Sequence, residues 1–230
     1  MKNLFGKAKY TVLEKNSHIF STEDARRIAR KRLPRMVFDF IEGAAGREVG
    51  VSRNEAAFDN IMLQPRVMEN VSQRSLTASI LDQSFNVPFG VAPMGMCNLA
   101  CPNADKFLAE MANKFDFPVC LSSAASSSIE DMAKWAGHRA WFQLYFSSSE
   151  EASMSMVDRA LKAGFETLVL TVDVPQVSRR VRDLRNGFNL PFSMTPRAFW
   201  DFATHPRWSL RTLTACLLYT SPSPRDVEES

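Results

Sequence analysis

From residue 87 onward, short apolar runs alternate with longer amphipathic stretches, and this alternation limits the folds open to the chain. Residues 87–92, 119–122, 140–146 and 167–172 read as strands, with starts spaced by 32, 21 and 27 residues. The stretches between them read as helices. One is capped at Asn103 and carries Phe107, Leu108, Met111 and Phe115 on one stripe; one starts near Ser128 and stops at Gly137; one covers about 149–163 and stops at Gly164. Strands joined by helices run parallel, because parallel neighbours need a crossover connection. Four such units make either a small open sheet or half of a (β/α)8 barrel, which takes about 250 residues.

Residues 1–86 read as helices and loops. Ser21 followed by Asp24 resembles a capping box opening a helix that stops at Pro34. A short second helix places Val37, Phe40, Ile41 and Ala44 on one side and is ended by Gly43 and Gly46. The last segment, 216–230, breaks the pattern. Its Cys-Leu-Leu-Tyr-Thr-Ser-Pro-Ser-Pro-Arg-Asp run at 216–226 has the period of neither helix nor strand. It resembles translated sequencing-adaptor read-through, with a genuine Ser/Pro linker as the alternative. The expected organisation is therefore a helical segment at 1–86, β/α units at 87–215 and a non-native tail at 216–230.

Composition narrows the function classes. A net charge of +3 gives no case for nucleic acid, and no run of 18 apolar residues is present to span a membrane. Lys2, Lys7, Lys9 and Lys15 interrupt the first twenty residues, so a secretory signal is not expected and the reading is cytoplasmic. Cys97 and Cys101 have no second pair or histidine at ligand spacing, so the four cysteines read as ordinary thiols rather than a metal site.

Alternation along residues 141–145 puts Trp141, Gln143 and Tyr145 on one face of the third strand, with Phe142 and Leu144 on the other. In the fourth strand Thr171 shares a face with Asp173, just beyond its end. Polar groups at two adjacent C-terminal strand ends suggest a site, since barrel active sites sit at that mouth; a capped strand and a satisfied tyrosine are the plainer account. Arg179, Arg180, Arg182 and Arg185 follow within seven residues, either as a solvated basic loop or as partners for a carboxylate or phosphate.

Six segments together resemble one family. They are Phe-Asp-Phe-Ile-Glu-Gly-Ala-Ala at 38–45, Val-Ala-Pro-Met-Gly at 91–95, Leu-Ser-Ser at 121–123, Trp-Phe-Gln-Leu-Tyr at 141–145, Leu-Thr-Val-Asp-Val-Pro at 170–175 and Arg-Arg at 179–180. Their order and spacing resemble the FMN-dependent 2-hydroxy-acid dehydrogenases and oxidases, which include glycolate oxidase, mandelate dehydrogenase and L-lactate dehydrogenase. The resemblance runs from about residue 21 to 213 and implies a (β/α)8 TIM barrel of which about four β/α units are present, preceded by the helical segment.

The resemblance also implies roles. Backbone around Ala92, Pro93, Met94 and Gly95 would pack against the flavin of FMN, and Ser122, Gln143 and Thr171 would hydrogen-bond it. Tyr145 would donate its hydroxyl to the substrate and Arg180 would hold the substrate carboxylate. Asp173 would orient a histidine that removes the hydroxyl proton. That histidine, a second substrate arginine and the phosphate site come later in the family, and the contexts of His18, His138 and His205 do not match it. Two departures bear on the substrate: Phe40 stands where the family commonly has a carboxylate-binding tyrosine, and Ala124 where glycolate oxidase has a tryptophan.

The implied protein oxidises a small L-2-hydroxy acid, uses an unassigned electron acceptor and forms a homo-oligomer when complete. Residues 197–208 look most like the lactate dehydrogenase branch, which suggests peripheral membrane association. The chain alone is expected to be an inactive fragment. Alternatives are another flavin or phosphate barrel, such as an isomerase, which Tyr145 and Arg180 speak against, and a non-catalytic half-barrel interaction module.

Overall fold

A computed structural model describes residues 19–146, 149–173, 178–188 and 193–218. The first helix, α1 (Thr22–Arg32), starts as its sequence dictates. Ser21 Oγ accepts the Asp24 N–H at 3.1 Å, and the Asp24 carboxylate accepts the Phe20 N–H at 3.1 Å. These two bonds satisfy donors that a helix start leaves open. Pro34 separates α1 from α2 (Arg35–Glu42), which buries Met36 and Val37 while Ile41 stays 53% exposed. Gly43 ends α2 because a Cβ there would lie 2.5 Å from the Asp39 carbonyl oxygen. Helix α3 (Val49–Asp59) buries no residue.

The region read as helices and loops also contains a hairpin. Strands β1 (Ala78–Ile80) and β2 (Gln83–Phe85) pair antiparallel, turning through Leu81 and Asp82 at φ 51° and 61°. Two positive φ values make the tight turn whose twist suits a hairpin, but Leu-Asp lacks the Asn-Gly or Asp-Gly signature that would announce it. The hairpin sits against the N-terminal end of the sheet. Fully buried Phe85 meets Trp141 edge-on at 6.1 Å, and the Trp141 indole N–H donates to Gln83 Oε1 at 3.1 Å.

The sheet is parallel, in the order β3 (Val119–Ser122), β4 (Ala140–Tyr145), β5 (Leu168–Thr171). The strand expected at 87–92 shrinks to a single parallel bridge between Val91 and Val119. Pro88 and Pro93 bring no N–H to a ladder. A short helix, α4 (Cys97–Ala100), then leads to α5 (Ala104–Phe115), α6 (Ile129–Ala136) and α7 (Glu150–Lys162), the last two opened by Ser128 and Ser149 as side-chain caps. These helices pack on one face of the sheet, where Leu121, Phe142 and Leu144 meet Ala109, Ala112, Ile129, Met132 and Met156. Small residues face the strands in α5: Asp105, Ala109 and Ala112 are buried, whereas Phe107 and Phe115 are 61% and 47% exposed. The expected apolar stripe is thus rotated off the core, because close approach of helix to sheet favours alanine.

Among the described residues after β5 no fourth helix packs on the sheet, and Leu168 and Leu170 are left 50% and 51% exposed. Helices α8 (Val181–Asn186), α9 (Pro196–Ala203) and α10 (Pro206–Leu218) return instead to the N-terminal helices. Asp201 of α9 accepts the N–H groups of Arg35 and Met36, each at 3.0 Å, and so caps α2 from 165 residues away. Trp208 donates its indole N–H to the Leu99 carbonyl at 2.9 Å. Helix α10 runs through Leu218.

Replacing Asp201 with Ala should cost about 1–2 kcal/mol, the scale of a lost helix cap aided by the helix dipole. Urea denaturation should show this as a lower midpoint at unchanged slope, with Phe107→Ala, on the exposed side of α5, staying within about 0.5 kcal/mol of the parent.

Candidate active site at the C-terminal strand ends

Three polar side chains on one face of the sheet are hydrogen-bonded in a row. Ser122 at the end of β3 donates to Gln143 Oε1 at 2.7 Å, and Gln143 Nε2 donates to Thr171 Oγ1 at 2.7 Å. Register explains the row, because Ser122 pairs with Gln143 across β3 and β4, and β5 is in parallel register beside them. Ser122 and Gln143 are 2% and 1% exposed, so both must have partners, and each finds one in the other. Ser122 Oγ also accepts the Ala124 N–H at 3.1 Å, which fixes the first turn after β3. Thr171 accepts from Gln143, so its own hydroxyl hydrogen is left to donate outward. The second Nε2 hydrogen of Gln143 and the Thr171 hydroxyl are the donors left open, and they suit an edge of nitrogen and oxygen acceptors such as a flavin presents.

Two loops and a strand end frame the row. Ala92, Pro93, Met94 and Gly95 are exposed at the mouth and present backbone. The loop is held by Met96 N–H donating to the Ala124 carbonyl at 3.0 Å, and a Cβ at Gly95 would come within 3.3 Å of Ala124 Cβ. Tyr145 closes β4 with its side chain 45% exposed and its N–H donated to Ser123 Oγ at 3.1 Å. Ser123 is a tie that the sequence reading missed, and nothing local in the sequence marks it. Asp173 lies exposed two residues past the end of β5.

Arg180 is placed differently from a free carboxylate clamp. Its Nη2 donates to the carbonyl oxygens of Phe40 and of Gly43, the latter at 2.8 Å, and its guanidinium lies 4.9 Å from the centre of the Phe40 ring. Phe40 in turn stacks on Phe188 at 4.7 Å. Nε lies 2.9 Å from Asp183 Oδ2, but its N–H is not aligned on that oxygen, so the contact is an ion pair without a good hydrogen bond. Burial pushes the Asp183 carboxyl above its usual range, against the pull of Arg180 and with a further upward push from Asp39. Among the described residues, Arg180 Nη1 has no hydrogen-bond or ion-pair partner.

Behind the mouth, Asp105 is 5% exposed and lines a small cavity with Ala92, Met94 and Ser122. Burial raises its pKa against hydrogen bonds from Ser127, and burial with the neighbouring Asp105 pushes the Cys97 thiol up to about 12. The Cys97 thiol is therefore not poised for nucleophilic work at neutral pH. No described histidine lies at the mouth: His138 sits at the N-terminal end of β4, and His205 Nδ1 is 2.7 Å from the Asp201 carbonyl between α9 and α10. His18 lies outside the described residues.

A family model described as FMN-dependent dehydrogenase matches residues 29–228. The chain belongs to that family. (S)-Mandelate dehydrogenase of Pseudomonas putida is 40% identical over 195 residues, which is 85% of this chain and 49% of that protein. L-Lactate dehydrogenase of Pseudomonas syringae is 33% identical, over 84% of this chain and 50% of that protein. Among solved structures, (S)-mandelate dehydrogenase, described as a monotopic membrane protein, superposes with a TM-score of 0.80 at 40% identity, covering 85% of this chain and 52% of its own. A mandelate oxidase superposes at 0.69 and 33% identity, over 77% of this chain and 50% of its own. The fold is accordingly part of the TIM barrel of these flavoenzymes, and the chain spans about half the length of the curated relatives it matches.

Arg180→Lys should be destabilising in its own right, because lysine cannot reach two carbonyls and an aromatic face with one planar fork. The expected loss is about 1.5–3 kcal/mol, the range for hydrogen bonds to a charged group, read as a lower urea midpoint; an unchanged midpoint would show that Arg180 does not tie α2 to α8.

Proposed function

We propose that these residues serve an enzyme that oxidises an L-2-hydroxy acid, of lactate or mandelate type, to the 2-oxo acid with FMN. The observation that carries the reading is the buried Ser122–Gln143–Thr171 row beside Tyr145, in a chain of the FMN-dependent family. Bound FMN would supply the acceptor for the electron pair that leaves the substrate α-carbon. Ser122, Gln143 and Thr171 would hold the ring edge, with the backbone of Ala92, Pro93, Met94 and Gly95 against its face.

Tyr145 would donate its hydroxyl to the substrate oxygen, and the free Nη1 of Arg180 would hold the carboxylate. With Phe40 stacked on Arg180, no tyrosine hydroxyl assists at that position. Ala124 packs closely on Gly95, and its small side chain, where glycolate oxidase has a tryptophan, favours substrates with a side chain larger than a hydrogen. Asp173 would orient a histidine supplied by further β/α units and stabilise its positive charge as it takes the hydroxyl proton.

Peripheral attachment to the cytoplasmic face of a membrane, in a homo-oligomer, fits the same reading. No described helix is long and apolar enough to cross a bilayer, while Phe199 and Trp200 on α9 are 59% and 69% exposed, and Leu210 and Leu213 on α10 are 63% and 59% exposed. Exposed aromatic and aliphatic groups on amphipathic helices suit an interfacial anchor. The electron acceptor stays unassigned.

The 230-residue chain alone should neither retain FMN nor oxidise lactate or mandelate, because among the described residues the edge of β5 lacks a neighbouring barrel strand and its outer face, with Leu168 and Leu170 exposed, lacks a covering helix. A soluble yellow protein near one flavin per chain would contradict this.

In a version joined to the remaining β/α units, Asp173→Asn should keep its flavin and lose kcat by roughly 10² or more, the scale of general-base assistance. Less than a threefold loss in kcat per bound flavin would remove Asp173 from the chemistry.

A further inference from the structure

Helices remote in sequence wall a groove that the catalytic reading does not use. A cavity of about 450 Å³ lies between α1, α2, α8 and the first turn of α9, lined by five arginines against one carboxylate, Asp39. It shares Arg30, Arg35, Asp39 and Arg182 with an adjoining cavity of about 710 Å³. Volumes of this size are those of small-ligand sites.

The charges in the smaller cavity do not balance. Asp39 is already engaged: Asn186 Nδ2 donates to it at 2.7 Å, Arg35 Nε lies at 3.4 Å and Arg182 Nη1 at 3.7 Å. Arg182 also pairs with Glu48, which holds that carboxyl below its usual range. Among the described residues, Arg30, Arg185 and Arg197 have no carboxylate within 4.0 Å; Arg197 spends one N–H on the Arg185 carbonyl at 3.0 Å.

Helix electrostatics account for only part of this. Arg30 and Arg185 stand in the last turns of α1 and α8, where a cation is favoured, but Arg197 stands in the first turn of α9, where it is not. Three guanidiniums from three separate elements thus line one cavity with donors to spare. Planar forks on several walls of one cavity suit a multiply charged group with several acceptor oxygens better than a single carboxylate.

We propose that this groove binds a phosphate-bearing ligand, whose phosphoryl oxygens are gripped by Arg30, Arg185 and Arg197. The phosphoryl group can come from a soluble phosphate or from an anionic lipid headgroup, since exposed Phe199 and Trp200 follow Arg197 on α9. The proposal is independent of the oxidation chemistry.

The test uses the full chain, its R30Q/R185Q double variant and R53Q, a control on the exposed face of α3. Both groove substitutions are at exposed side chains without ion pairs and leave the α9 aromatics in place; far-UV circular dichroism confirms the fold, and R197Q replaces the double variant if that does not fold. Inorganic pyrophosphate is titrated calorimetrically at low salt, and co-sedimentation is measured with phosphatidylglycerol and phosphatidylcholine vesicles. Pyrophosphate binding that weakens at least tenfold in R30Q/R185Q but not in R53Q supports the site with a soluble ligand. Sedimentation only with phosphatidylglycerol, lost in the same variant alone, supports it with a headgroup. Absence of both, equal binding by the double variant, or an equal loss in R53Q overturns the proposal.

Discussion

Helix α2 is held at both ends by charges that arrive from far along the chain, and the placement of the site follows from this. At its N-terminus the Asp201 carboxylate accepts two free N–H groups; at its C-terminus the Arg180 guanidinium takes the carbonyls of Phe40 and Gly43. Each charge has the sign that the helix dipole favours at its end. With both caps in place, α8 and α9 lie on α2 rather than on the sheet, and Arg180 stands where the segment after β5 meets the N-terminal helices. One eight-residue helix thereby ties α1 to α8 and α9.

The sheet supplies the second fixed element. Its helix-facing side is closed by small and aliphatic residues, while its other side carries Gln143, too buried to stay unpaired. Pairing it on both sides, to Ser122 and Thr171, makes the polar row rigid before any ligand arrives. The hairpin closes the opposite end, where Arg139 donates to the Ser84 carbonyl at 3.1 Å and pairs with Asp116. The sheet is thus packed at its hairpin end and open at the other, where Tyr145 and the 92–95 loop are exposed.

What was legible in the sequence was what local rules decide. Ser21, Ser128 and Ser149 cap the helices they were expected to cap or open, and three strands fall where the apolar runs put them. Alternation along 141–145 placed Gln143 and Phe142 on opposite faces, as found. The apolar run at 87–92 yields only one bridge because Pro88 within it and Pro93 after it bring no N–H to a ladder, and the hairpin is not legible because its Leu-Asp turn breaks the usual residue preferences. The α5 stripe failed because period alone does not say whether large or small residues meet the sheet. Engagement of Arg180 by α2 carbonyls was beyond sequence reasoning, since its partners lie 137 and 140 residues away. The arginine groove escaped for the same reason: its walls come from four separate stretches.

The account stands on the polar row and its neighbours forming the substrate side of a flavin site. The most direct measurement takes this sequence joined to the remaining β/α units, loaded with FMN, and mixes it anaerobically with L-lactate or L-mandelate. The account predicts that the visible absorption of the bound flavin bleaches, with one 2-oxo acid formed per flavin, and that a Gln143→Leu variant loses flavin content. A flavin-loaded protein that no L-2-hydroxy acid bleaches, or a Gln143→Leu variant that binds and bleaches as the parent does, would contradict it.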